Sequence, residues 1–155
     1  MIRLVVAAAL AVATLAVALP AVDDARTARS DAMIEGTADR VERVGRALAT
    51  TEDAAPTRGT AATRRVEFTL PERSVTAAQP GFVAVGGPPD GPGNRSTLTY
   101  TVSSPTHRHR LGIPIPVRTP QGPVVFRDPG RHAVDLALVR GDDGPELVVT
   151  RAADW

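Results

Sequence analysis

Histidine is the side chain best placed to do chemistry near neutral pH. This chain has three, and two of them stand close together. In THRHR, His107 and His109 alternate with Arg108 and Arg110. Residues two apart on a strand share a face, so the two imidazoles could hold one metal ion between them. A third ligand would have to come from His132, twenty-three residues further on. The flanking arginines oppose a cation, and a solvated strand face accounts for the pattern without a metal. Asp142 and Asp143 in GDDG have the oxygen chemistry of a calcium loop, but a hairpin turn uses the same residues. Asp90-Gly91 reads as a loop in the same way. Arg64-Arg65 and Arg108 with Arg110 could meet anionic lipid or glycan, and arginine pairs of this kind are ordinary solvated surface.

Other chemistries are excluded more firmly. There is no cysteine, so a thiol nucleophile, a disulfide framework, a thiolate metal site and a lipidated cysteine are all ruled out. No GxSxG, P-loop, dinucleotide-binding glycine fingerprint or HExxH is present. The formal net charge is +1, and the basic residues are all arginine; nothing points to nucleic acid as a partner. The aromatic residues Phe68, Phe82, Phe126, Tyr100 and Trp155 are too scattered for a stacking platform. No catalytic, cofactor-binding or metal-binding residue is assigned, and the expectation is a non-enzymatic protein.

The strongest signal lies elsewhere, in MIRLVVAAALAVATLAVALPAVDDAR. Leu4 to Val22 is a nineteen-residue run without a charge. As a helix it spans about 28 Å, close to the roughly 30 Å of a bilayer's hydrocarbon core. Leu4, Leu10, Leu15 and Leu19 are its bulky residues, with Pro20 near its end; Ala7, Ala11 and Ala18 offer close approach to another helix. Arg3 precedes the run and Asp23-Asp24 closes it, which places the N-terminus in the cytoplasm and the rest outside. A secretory signal cut after Ala16-Val17-Ala18 would look similar. The helical pattern, however, continues past the run.

In AVDDARTARSDAMIEGTADRVERVGRALA, Ile34, Ala38, Val41, Gly45 and Leu48 recur at spacings of four and three, and Val44 widens that stripe. Asp39 with Arg43 and Glu42 with Arg46 are acid-before-base pairs four apart, each worth a few tenths of a kcal/mol to a helix. Gly36 and Gly45 oppose it by about 1 kcal/mol each relative to alanine. The expectation is one helix from about Ile2 to about Ala49, bent at Pro20, apolar all round in its first part and amphipathic in its second. The stripe at Ile34, Val41, Val44 and Leu48 then needs cover, either from the rest of the chain or from neighbouring helices.

Residues 50–63 read as a linker and residues 64–151 as an antiparallel β domain, with a short tail at 152–155. VEFTL places Val66, Phe68 and Leu70 on one face, and GFVAVGG is a second strand. TLTYTVS puts Leu98, Tyr100 and Val102 inward and its threonines outward. HRHRLGIPIPVR reads as one extended edge strand, since Pro114 and Pro116 cannot donate to a ladder. PVVFR follows a TPQG turn. HAVDLALVR, GDDG and PELVVTR form a hairpin. The fold class is α+β: a long N-terminal helix, transmembrane then amphipathic, followed by a small antiparallel sheet or sandwich-like head of six or seven strands.

This layout resembles type IV pilins and pseudopilins: an apolar N-terminal helix with a proline near position twenty, an amphipathic continuation, a linker and an antiparallel sheet. The segments MIRLVVAAALAVATLAVALPAVDDAR, ATTEDAAPTRG, RRVEFTLPERSVT and ELVVTR also resemble an uncharacterised family of small haloarchaeal, membrane-anchored, pilin-like proteins. The resemblance implies a non-enzymatic subunit of a type IV pilus-like or secretion apparatus. Its partners would be the membrane and other proteins of that assembly. Arg3 abuts Leu4 and no acid lies inside the apolar run, which points to an accessory subunit rather than a filament's main one. The alternative is a secreted β-domain that binds a ligand after signal cleavage.

Overall fold

A computed structural model describes residues 2–153; Met1 and the tail residues Asp154 and Trp155 lie outside the described residues. One helix, α1, runs from Ile2 to Thr51 without interruption. At 1.5 Å per residue it is about 75 Å long. The expected single helix is therefore present, and it passes through Pro20.

Eight strands follow: β1 (Thr63–Leu70), β2 (Pro80–Val85), β3 (Thr97–Val102), β4 (Thr106–Arg110), β5 (Val117–Arg118), β6 (Val124–Phe126), β7 (Gly130–Gly141) and β8 (Gly144–Arg151). They form two four-stranded sheets, with orders β1-β7-β8-β5 and β4-β3-β2-β6. The head is thus a sandwich with the second part of α1 built into it. The helix packs on β1, β7 and β8 of one sheet and on β3 of the other. Ile34, Ala38, Val41 and Leu48 share one core with Val66, Leu98, Tyr100, Leu136 and Leu147. Phe68 of β1 meets Phe126 of β6 edge-on, centroids 5.1 Å apart, and joins the sheets directly.

The hairpin is as the sequence indicates. Gly141 pairs with Gly144 across a turn made by Asp142 and Asp143, and Leu136 and Leu138 pair with Val149 and Leu147. The stretch HRHRLGIPIPVR differs. It is two strands, not one: β4 edges the second sheet, and β5 edges the first, parallel to β8. The proline-bearing segment between them belongs to neither ladder and crosses from sheet to sheet. Pro114 and Pro116 have no N–H to give, so a crossing is their natural place. Leu111 and Ile113 of this crossing point into the core. Thr99 also differs from expectation: it is fully buried, with Ala84 and Arg108 as its cross-strand partners. It occupies a central strand, where neighbours on both sides shield a face that would be open at an edge.

Gly45 explains itself in this packing. A Cβ there would lie 2.7 Å from Ile113 Cδ1 and 2.9 Å from Leu147 Cδ2. The glycine costs the helix about 1 kcal/mol in propensity but lets the crossing segment and β8 close on it. The buried side chains of Ile34, Val41 and Leu48 each return about 1.5–3 kcal/mol, so packing decides in favour of the helix. Gly36 is exposed with nothing near its missing Cβ. Gly36→Ala is expected to raise stability by about 0.5–1 kcal/mol. Gly45→Ala is expected to lower it, because overpacking costs about 1–3 kcal/mol. Chemical denaturation of both variants in detergent checks this; a gain at both positions would refute the close-packing account.

Candidate functional site

The helix divides sharply in its surroundings. Its apolar 18-residue window has a mean hydropathy of 2.5 and is 0% buried. Leu4, Leu10, Leu15 and Leu19 are 59–79% exposed. The one hydroxyl inside the apolar run, Thr14 Oγ1, donates to the Leu10 carbonyl at 2.8 Å, so the run presents no unsatisfied side-chain donor. Beyond it, Ile34, Val41 and Leu48 are buried by the chain's own sheets and Val44 is packed at the margin. The head, not a neighbouring helix, covers the stripe.

Between the two regimes lies a polar root, where the helix enters the head. Ser30 is fully buried, and its Oγ donates to the Ala78 carbonyl at 2.7 Å and accepts from the Ala78 N–H at 3.0 Å. One turn earlier, Arg26 Nε donates to the Val75 carbonyl at 2.8 Å, while its Nη1 pairs with Asp23 at 2.9 Å. Thr27 Oγ1 lies 3.1 Å from Ser103 Oγ. The loop these residues hold is stiffened from within: Ser74 Oγ accepts from the Ala77 N–H at 3.1 Å, and the Ser74 N–H donates to the Ala77 carbonyl at 2.9 Å. A cleft of about 690 Å³ opens here, lined by Asp23, Asp24, Arg26, Arg73, Ser103 and Arg127 among others.

A second fastening sits further along. Glu42 Oε2 accepts from the Gly112 N–H at 2.8 Å, and Arg46, paired with Glu42 Oε1, donates to the Gly112 carbonyl at 3.0 Å. The Gly112 bond, with Arg46 and His109 nearby, holds the Glu42 carboxyl below its ordinary range against the opposing effect of burial. Between the two fastenings, Tyr100 faces Asp31 and Glu35; burial first, then these carboxylates, push its hydroxyl up to about 12.

The sequence-marked chemical residues are not brought together. His107 stacks on Tyr100 at 5.2 Å and His109 approaches Glu42 at 4.0 Å, both on the second sheet. His132 lies on β7 of the other sheet, against Phe68 and Phe126, with Nε2 donating to the Asp128 carbonyl at 2.7 Å. Arg64 pairs with Glu52 at 3.1 Å and Arg65 with Asp135 at 2.8 Å, so both serve the fold. Asp142 and Asp143 are the exposed turn of the hairpin.

Residues 1–152 match the model of a family described as a domain of unknown function (DUF7311). The chain belongs to that family. No curated protein and no solved structure matches it. The root is what sequence reading missed in this DUF7311 chain. The apolar stripe begins at Ile34, and Ser30 lies four residues before it on the same face. Extending the period backwards would have reached it.

Two outcomes are expected. Ser30→Ala leaves both polar groups of Ala78 without their buried partner and should cost about 1–3 kcal/mol, with faster proteolysis between Glu72 and Gln79. Unchanged cleavage there would show that Ser30 does not hold the loop. Glu42 stabilises the fold above the ordinary glutamate value of 4.5, and that contribution is lost as pH falls through its lowered folded value. Glu42→Gln should therefore lower the thermal midpoint at neutral pH, and the gap to the wild type should close in acid. A gap constant with pH would argue against the carboxylate's role.

Proposed function

We propose that this protein is a non-enzymatic, single-pass membrane subunit of a pilin-like kind, serving a type IV pilus-like or secretion assembly. The observation that carries the reading is continuity. One unbroken helix begins as a bare apolar segment and ends as a core element of the β head. An apolar run of nineteen residues left uncovered by its own head needs lipid or other apolar helices around it. In the pilin-like layout the N-terminus would lie in the cytoplasm and the head outside. The helix-plus-sheet layout supports a pilin-like role, and an accessory position fits the absence of an acid within the apolar run. The protein's chemistry would be packing: the helix in the membrane, the head presented to partner proteins.

A second reading has one observation in its favour. Among the described residues, no helix residue before Ile34 belongs to the head's core, so removal of the apolar run would leave that core whole. A secreted β-domain that binds a ligand would look like this after cleavage near Ala18.

Cell fractionation with intact-mass measurement separates the two. The anchored reading expects the membrane fraction and a chain starting at Met1 or Ile2. A soluble extracellular chain starting between Leu19 and Val22 would overturn it in favour of the secreted module. For the assembly itself, an assembly ATPase and a polytopic membrane platform encoded beside this gene are expected.

A further inference from the structure

We infer that the turn at Val75 is a second membrane contact, seated in the phospholipid headgroup layer beside the helix. The inference rests on the anchored reading of α1. If Leu4 to Val22 fills the hydrocarbon core, Arg26 lies four residues beyond it, about 6 Å along the axis. The headgroup layer on each side is about 5–8 Å deep, so Arg26 sits within it. Arg26 Nε holds the Val75 carbonyl at 2.8 Å, which brings the turn to the same depth.

The turn is built for such a contact. Among the described residues, Val75 is the one exposed large hydrophobic side chain outside the helix, at 78%. A lone exposed valine is ordinary, but this one stands on a backbone locked from three directions. Arg26 holds its carbonyl, Ser30 holds Ala78 at both polar groups, and Ser74 caps the turn from inside. A rigid apolar tip enters an interface with little loss of conformational entropy. The neighbouring cleft sets Arg73 and Arg127 of the head opposite the helix residues Asp23 and Asp24. Asp23 is already paired with Arg26. The cleft therefore carries both signs of charge, with Arg127 also over the Phe82 ring at 5.9 Å, and it is the apolar Val75 tip that makes the contact. Together the tip and the helix give the head two points of attachment, which fixes its tilt and its rotation about the helix axis.

The lack of native cysteine makes the test direct. The full chain carries one spin label, at Val75→Cys or at Asp142→Cys. Asp142 is in the hairpin turn, at the opposite end of β7 from Gly130 and its partner Leu70. Each labelled chain is reconstituted into vesicles of phosphatidylcholine and phosphatidylglycerol in equal parts and floated. Collision with lipid-dissolved oxygen and with a water-soluble nickel chelate is then measured. The expected result is flotation of both, with the Val75 label several-fold less accessible to nickel and more accessible to oxygen than the Asp142 label. Flotation with equal nickel accessibility at both sites would overturn the second contact and leave the anchor standing. Failure to float would overturn the anchored reading and this inference with it.

Discussion

Everything in this molecule depends on how closely one helix face approaches two sheets. Ile34, Ala38, Val41 and Leu48 supply the apolar surface, and Gly45 supplies the clearance for Ile113 and Leu147. Neither sheet has another element to cover the space the helix fills. The aromatic content of the chain is low, so much of the apolar core comes from aliphatic residues, those of the helix face among them. The second part of the helix is therefore a core element of the head, and the first part extends outside it.

That arrangement sets the demands on the polar residues around it. A helix entering a sandwich from outside passes backbone loops whose N–H and C=O groups need partners. Ser30 and Arg26 supply them at the entrance, and Glu42 with Arg46 supplies them where the chain crosses between sheets. The crossing itself follows from Pro114 and Pro116, which cannot stay in a ladder. These four contacts are thus placed where the helix enters the head or a segment changes sheet.

Much of this was legible in the sequence. Period-four and period-three apolar spacing announced the helix through Leu48, and its true end at Thr51 is within the usual margin. Alternation in VEFTL and the GDDG hairpin was equally clear, because local pattern and turn chemistry agreed. The division of HRHRLGIPIPVR into two strands was not readable: extended backbone with proline looks alike whether it lines an edge or crosses between layers. The burial of Thr99 depends on being in a central strand, and strand order is a long-range property. The root was half legible. Ser30 continues the helical period, but its partner Ala78 is forty-eight residues away, and nothing local marks it.

The placement of the side-on contacts has a mechanical consequence. Arg26, Ser30, Arg40 and Arg46 each bond the head's backbone, to Val75, Ala78, Glu67 and Gly112, along about 30 Å of helix. A pull along the helix axis from its apolar end would load these bonds in shear and all at once, with the packed stripe between them. Shear geometry shares force across the set instead of unzipping it bond by bond. The head is thereby fastened to its helix at several points that resist sliding together.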